Sequence, residues 1–160
     1  MPVDVESVIE IACPRSAVAA FAADPNNATT WYRNIKQVSW KTGPPVAIGT
    51  QVDFVAHFLG RTLAYTYEVV ELQPEERFVM RTAQGPFPME TSYSWSDTAD
   101  GGTRMSLRNR GEPSGFGQVV APLMALAMRR ANRKDLELLK ATLEGSMGGN
   151  ETRGRPPGRI

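Results

Sequence analysis

Between Val52 and Asn109 the apolar residues of this chain recur at every second position, in run after run. Turn signals separate the runs and no helical spacing interrupts them. A period of two is what a strand with one buried face requires. Successive strands joined by short turns pair antiparallel, so this stretch is expected to be a meander curved around one apolar face. The clearest pair of runs is DFVAHFLGRTLAYTYEVV, Asp53 to Val70. With Gly60 and Arg61 as a two-residue turn, Phe58 faces Leu63, Ala56 faces Tyr65, Phe54 faces Tyr67 and Val52 faces Val69, which makes one side continuously apolar. Asp53, Val55 and His57 then share the other side with Glu68, Thr66 and Ala64. His57, the only histidine, is therefore expected to face water, because turning the strand over would expose Phe54, Phe58, Tyr65 and Tyr67 together. RFVMRT from Arg77, METSYSWS from Met89 and TRMSLRNR from Thr103 extend the meander. Val3 to Ile11 and NIKQVSW, ending at Trp40, precede it, giving six to seven strands.

Helical spacing appears in two other places. After Cys13, PRSAVAAFAA sets Pro14 at a first helical position with Val18 and Phe21 three apart, and Asp24-Pro25 restarts a second short helix towards Trp31. Beyond the Gly/Pro-rich GEPSGFG, Gly111 to Gly117, one long helix is expected from about Gln118 to Glu144, roughly 40 Å at 1.5 Å per residue. Val120, Met124, Ala127, Met128, Ala131, Leu138, Leu139 and Thr142 form its apolar stripe. Arg129, Arg130, Arg133, Glu137, Lys140 and Glu144 lie opposite, and Asp135 is the one acid on the stripe. Residues 1–145 are expected to form a single domain, and residues 146–160, in which Gly, Pro and Arg replace periodic apolar positions, a disordered basic tail.

Charge and cysteine content exclude several function classes. A net charge of +1 over 160 residues supplies no field for nucleic acid or an anionic membrane. Cys13 is the only cysteine, and no CxxC or Cys/His cluster offers a metal site. No Walker loop, dinucleotide Gly-rich loop or Ser/His/Asp arrangement is present, so neither a cofactor nor a metal is expected. The N-terminus lacks the basic and apolar regions of a leader, and no apolar run approaches the roughly 20 residues that span a bilayer. A soluble protein of the cytoplasm, monomeric or homodimeric, is the expectation.

The order of strand, ACPRSAV helix, DPNN helix with Trp31, meander and long C-terminal helix resembles the helix-grip fold of the START-like (SRPBCC) superfamily. The similarity is greatest to its polyketide cyclase/dehydrase-like branch. The resembling segments are IEIACPRSAVAAFAADPNNATTW, TYEVVELQPEERFVMRT, GGTRMSLR and RKDLELLKATLE, which span nearly everything from Val3 to Glu144. The resemblance implies an α+β fold with a curved antiparallel sheet wrapped on the C-terminal helix, and a deep cavity between them. It also implies members that range from lipid and hormone binders to cyclases and dehydratases.

If that cavity exists, the inward parity assigns its wall: Phe54, Phe58, Tyr65, Tyr67, Met80, Met89, Tyr93, Trp95, Met105, Leu107, Asn109, Met124 and Met128, with Phe116 from the following loop. Such a wall suits a small aromatic, polyketide-like or lipid-like molecule whose polar groups meet Tyr65, Tyr67, Tyr93, the Trp95 N–H or Asn109. The same stripes equally describe an ordinary core. For catalysis the candidates are few: Asp135, Tyr65 and Tyr93, with Asp135 alternatively a structural acid bonded to a Trp N–H, a Tyr hydroxyl or an Arg. Glu68, Glu71 and Glu90 fall outward, and Cys13 reads as a small buried hydrophobe. Binding of a small hydrophobic molecule is thus the first expectation. A cofactor-free cyclase or dehydratase is the second, and a protein-interaction domain with a collapsed cavity the third. The loops AQGPFPM and GEPSGFG each carry one large apolar residue, Phe87 and Phe116, which either gate an opening or plug the core edge.

Overall fold

The computed structural model describes residues 3–112 and 121–153. Among them, seven strands form one antiparallel sheet: β1 (Val3–Ile11), β2 (Ile35–Trp40), β3 (Gln51–Phe58), β4 (Arg61–Gln73), β5 (Arg77–Gln84), β6 (Met89–Asp97) and β7 (Thr103–Gly111). Their spatial order is β1-β7-β6-β5-β4-β3-β2. The first strand pairs with the last, Val5 opposite Asn109 and Ile9 opposite Met105, so β1 and β2 are the two edges. Residues 12–34 must therefore cross from one edge to the other, and this crossing carries α1 (Arg15–Ala22) and α2 (Ala28–Trp31). Pro14 is the residue before α1, not its first turn. Asp24 caps the 3-10 turn Pro25–Asn27 by accepting from the Asn26 N–H at 3.0 Å. The long helix α3 (Ala121–Arg153) packs against β1 and α2. The architecture is the helix-grip fold.

The β3–β4 turn lies one residue earlier than expected. Leu59 and Gly60 are its central residues, both at positive φ (48° and 75°), the backbone sign that a type I′ turn needs to match the twist of its strands. Phe54 consequently faces Tyr65 and Ala56 faces Leu63, in place of Tyr67 and Tyr65. The displacement moves each partner by two positions, so every side chain keeps its face: Val52, Phe54 and Ala56 are buried and His57 is exposed.

α3 departs from expectation at its C-terminal end, while the expected start, about Gln118, lies outside the described residues. Its described part starts at Ala121 and it continues to Arg153, so residues 146–153 of the expected tail are helical, with no proline before Pro156 to break them. Among the side chains described, Leu143 is the last that the helix buries. Lys140 and Glu144, expected on the solvent side, instead tie the helix to the end of β1. The Lys140 ammonium donates to the Glu10 carbonyl at 2.7 Å and to Glu144 Oε1 at 2.8 Å, and Glu144 Oε1 accepts from the Ala12 N–H at 2.9 Å.

The core has two parts. The larger gathers Trp31, Phe78, Tyr93, Trp95, Met105, Leu107, Leu136 and Leu139. A smaller one joins Val3, Val5 and Met124, with Phe58 and Met128 packed on it. Cys13 is buried in the larger, and burial raises the pKa of its thiol.

Candidate functional site

Residues from both parts of the core surround a cavity of about 140 Å³ between the concave face of the sheet, the α1–α2 crossing and α3. Strand parity delivers most of the wall: Phe54 and Phe58 from β3, Tyr65 and Tyr67 from β4, Met80 from β5, Met89 and Tyr93 from β6, and Asn109 from β7. Met124, Met128 and Asp135 come from α3. The aromatic rings pack on one another, with centroids 5.0 Å apart for Tyr65–Tyr67 and 5.6 Å for Phe54–Tyr65. They therefore present a continuous stiff surface.

Three residues expected in this wall are elsewhere. Trp95, Met105 and Leu107 have the inward parity but fill the larger core. The Trp95 N–H, expected as a ligand contact, is buried and has no partner among the described residues. Phe116 lies outside the described residues. Conversely, Tyr32, Phe78, Thr91 and Asn132 line the cavity without having been singled out. Thr91 shares the parity of Met89 and Tyr93. Asn132 stands four residues after Met128 and three before Asp135, squarely on the helix stripe. Both signals were in the sequence. Tyr32 follows α2 in irregular backbone and carried none. Phe87 is buried at the rim and also lines the cavity.

Polar groups interrupt the apolar wall in two places. In the first, the hydroxyls of Tyr32 and Tyr93 share a hydrogen bond of 2.5 Å. Asp135, 3% exposed, lines the same cavity, and its Oδ1 accepts from the backbone N–H of Arg33 at 3.0 Å. That amide is the partner, in place of the Trp, Tyr or Arg side chain expected. Burial raises the Asp135 pKa to about 7, although the Arg33 N–H and guanidinium pull the other way. Burial also pushes Tyr32, Tyr65 and Tyr93 well above the ordinary tyrosine value and Tyr67 to about 12. All four are neutral hydroxyls at physiological pH. Asp135, with its pKa near that pH, is able to exchange a proton there.

In the second place, a chain of hydrogen bonds crosses the sheet. Tyr67 Oη meets Thr91 Oγ1 at 2.9 Å, Thr91 donates to Asn109 Oδ1 at 2.6 Å, and Asn109 Nδ2 donates to Asn132 Oδ1 at 2.9 Å. Thr91 and Asn109 are direct partners across β6 and β7, so the register places two links of the chain side by side. Asn132 Nδ2, buried, has no partner among the described residues. His57 is outside this site on the far face of β3. Glu90, on β6, is outside it as well: partial burial would raise its carboxyl pKa, but hydrogen bonds and ion pairs with Arg81 and Arg110 hold it below the usual range. Among the described residues, no three His, Cys, Asp or Glu side chains converge on a metal position. Among the same residues, no helix is long and apolar enough to cross a membrane.

A family model described as polyketide cyclase / dehydrase and lipid transport matches residues 2–144. Among solved structures, a START superfamily protein from Mycobacterium smegmatis superposes with a TM-score of 0.77 at 14% identity, over 89% of this chain and 97% of that one. A protein from Thermus thermophilus gives 0.76 at 19% identity, over 89% and 98%. The Zhui aromatase/cyclase from a Streptomyces species gives 0.72 at 16% identity, over 90% and 94%. At these identities the likeness is one of fold. No curated protein matches the sequence.

Proposed function

The chain belongs to the polyketide cyclase/dehydrase and lipid transport family, a branch of the START-like superfamily, and from that premise we propose that it holds a small, mostly apolar, ring-bearing molecule between the sheet and α3. One observation carries this reading: an aromatic and thioether wall surrounds about 140 Å³ of open space in the part of a protein that is otherwise packed to crystal density. Apolar space of roughly this size accepts a benzene ring. A longer occupant requires Met89, Met124 or Met128 to swing aside, a movement that flexible thioethers allow. The open cavity argues against a collapsed interaction domain. The cytoplasm remains the proposed compartment, on the strength of the single cysteine.

A second reading has its own support. Asp135, with a pKa near the operating range and a pair of neutral tyrosine hydroxyls on the same wall, has the equipment for cofactor-free acid–base chemistry such as dehydration or cyclisation of a keto compound. Asp135→Asn separates the two readings, because a binder keeps its affinity and an enzyme loses turnover.

Native mass spectrometry of the purified protein, before and after addition of single-ring aromatics, tests the binding reading. The wild type is expected to carry or take up one small molecule. Met128→Trp, which projects an indole into the cavity, is expected to fold with unchanged circular dichroism and to take up none. Equal uptake by both proteins would move the site elsewhere, and no uptake by the wild type would end the reading.

A further inference from the structure

The hydrogen-bond chain across the cavity has a direction. At 2.6 Å, the Thr91–Asn109 contact has the length of an O–H···O bond and is short for N–H···O. The Asn109 oxygen therefore faces Thr91, and its amide nitrogen faces Asn132. The 2.9 Å separation there is that of an N–H···O bond, so the Asn132 oxygen is the acceptor and its NH₂ points away from the chain. Thr91, having given its hydrogen to Asn109, accepts from Tyr67. The Tyr67 and Thr91 hydroxyls and one Asn109 N–H are thus used within the protein, and the chain ends on the Asn132 amide nitrogen. That residue is 4% exposed and lines the cavity, and its Nδ2 has no partner among the described residues.

A buried donor left without an acceptor is destabilising, and three consecutive hydrogen bonds hold this one in place. We infer that Asn132 reads the occupant: its amide N–H donates to an acceptor oxygen on the bound molecule, so the cavity selects ring compounds bearing a carbonyl, such as aryl ketones, over hydrocarbons of the same shape. Asn109 and Thr91 act as positioning residues that fix which atom of the Asn132 amide faces the ligand. The inference rests on the cavity being a binding site and adds the chemistry of what it prefers.

Acetophenone and isopropylbenzene have the same number and arrangement of heavy atoms and differ in one oxygen. They transfer from water differently, so the ratio of their affinities, compared between two proteins, is the readout. Titration followed by NMR of the methionine methyls gives both affinities for the wild type and for Asn132→Leu, which keeps the branching of the heavy atoms and cannot donate. The acetophenone-to-isopropylbenzene ratio is expected to fall about five- to tenfold in the variant, the effect of one hydrogen bond. An unchanged ratio overturns the inference while leaving the binding site standing. If the wild type binds neither probe, the binding reading fails and the inference with it. A second measurement is spectroscopic: the infrared carbonyl stretch of acetophenone bound to the wild type is expected below its frequency in hydrocarbon solvent. A stretch at the hydrocarbon frequency, or one still lowered in Asn132→Leu, shows that Asn132 is not the donor.

Discussion

Asp135 is the residue whose chemistry the fold changes most. Its helical position marked it as an inward acid, but its properties come from what surrounds it: burial raises its pKa, and the Arg33 backbone N–H, its partner 102 positions away in sequence, only partly offsets this. A carboxyl whose pKa is higher folded than unfolded binds more protons in the native state. Its contribution is therefore fully present below about pH 4 and is lost as pH rises through about 7. Over that window the loss is at most about 4 kcal/mol. Asp135→Asn keeps an oxygen for the Arg33 N–H and has no charge to bury, so it is expected to flatten the fall in melting temperature between pH 4 and 7 and to be more stable than wild type above pH 7. Thermal unfolding across that range measures both, and parallel curves for the two proteins would show that Asp135 does not titrate there. His57 illustrates the opposite case. Its outward position followed from parity alone, because a strand's faces alternate whatever the rest of the chain does.

At the scale of elements, the β3–β4 hairpin shows which local features are robust. The alternation of apolar residues assigned both faces correctly, while the turn moved from Gly60-Arg61 to Leu59-Gly60. Alternation does not distinguish registers that differ by two, and the turn geometry chose between them. Leu59 is held at φ 48° and is half exposed, a conformation that costs a branched side chain roughly 1–2 kcal/mol. Leu59→Asn, which makes the Asn-Gly pair favoured in type I′ turns, is expected to stabilise the protein by about 1 kcal/mol in urea unfolding. Destabilisation instead would mean that the Leu59 side chain contributes packing. α3 follows the same logic. Its stripe was readable from Met124 to Leu139, and Asn132 belongs to it by position. Only the position of Asn109 on β7 gives it a partner.

For the whole molecule, the decisive arrangement is the cavity between the two parts of the core, with the loop at residues 85–88 on its rim. Gly85 has no side chain because Tyr65 occupies the space: a Cβ there would lie 2.9 Å from the Tyr65 Cβ. The loop is thus laid directly on one wall, with Phe87 turned in. A molecule in the cavity connects both parts of the core and this loop, so amide exchange at Gly85 and Phe87 is expected to slow when isopropylbenzene is added. Full protection without the probe would make Phe87 a permanent plug. The sequence by itself determined the period of each segment, hence which side chains of the meander strands and many of those of α3 face inward, and the order of elements that resembles the helix-grip superfamily. Only the tertiary structure decided which inward residues fill the core, as Trp95, Met105 and Leu107 do, and which line open space, as Tyr32, Thr91 and Asn132 do. Inwardness is a local property of alternation, whereas depth along a curved sheet and the partner of a buried polar group depend on segments far apart in the chain.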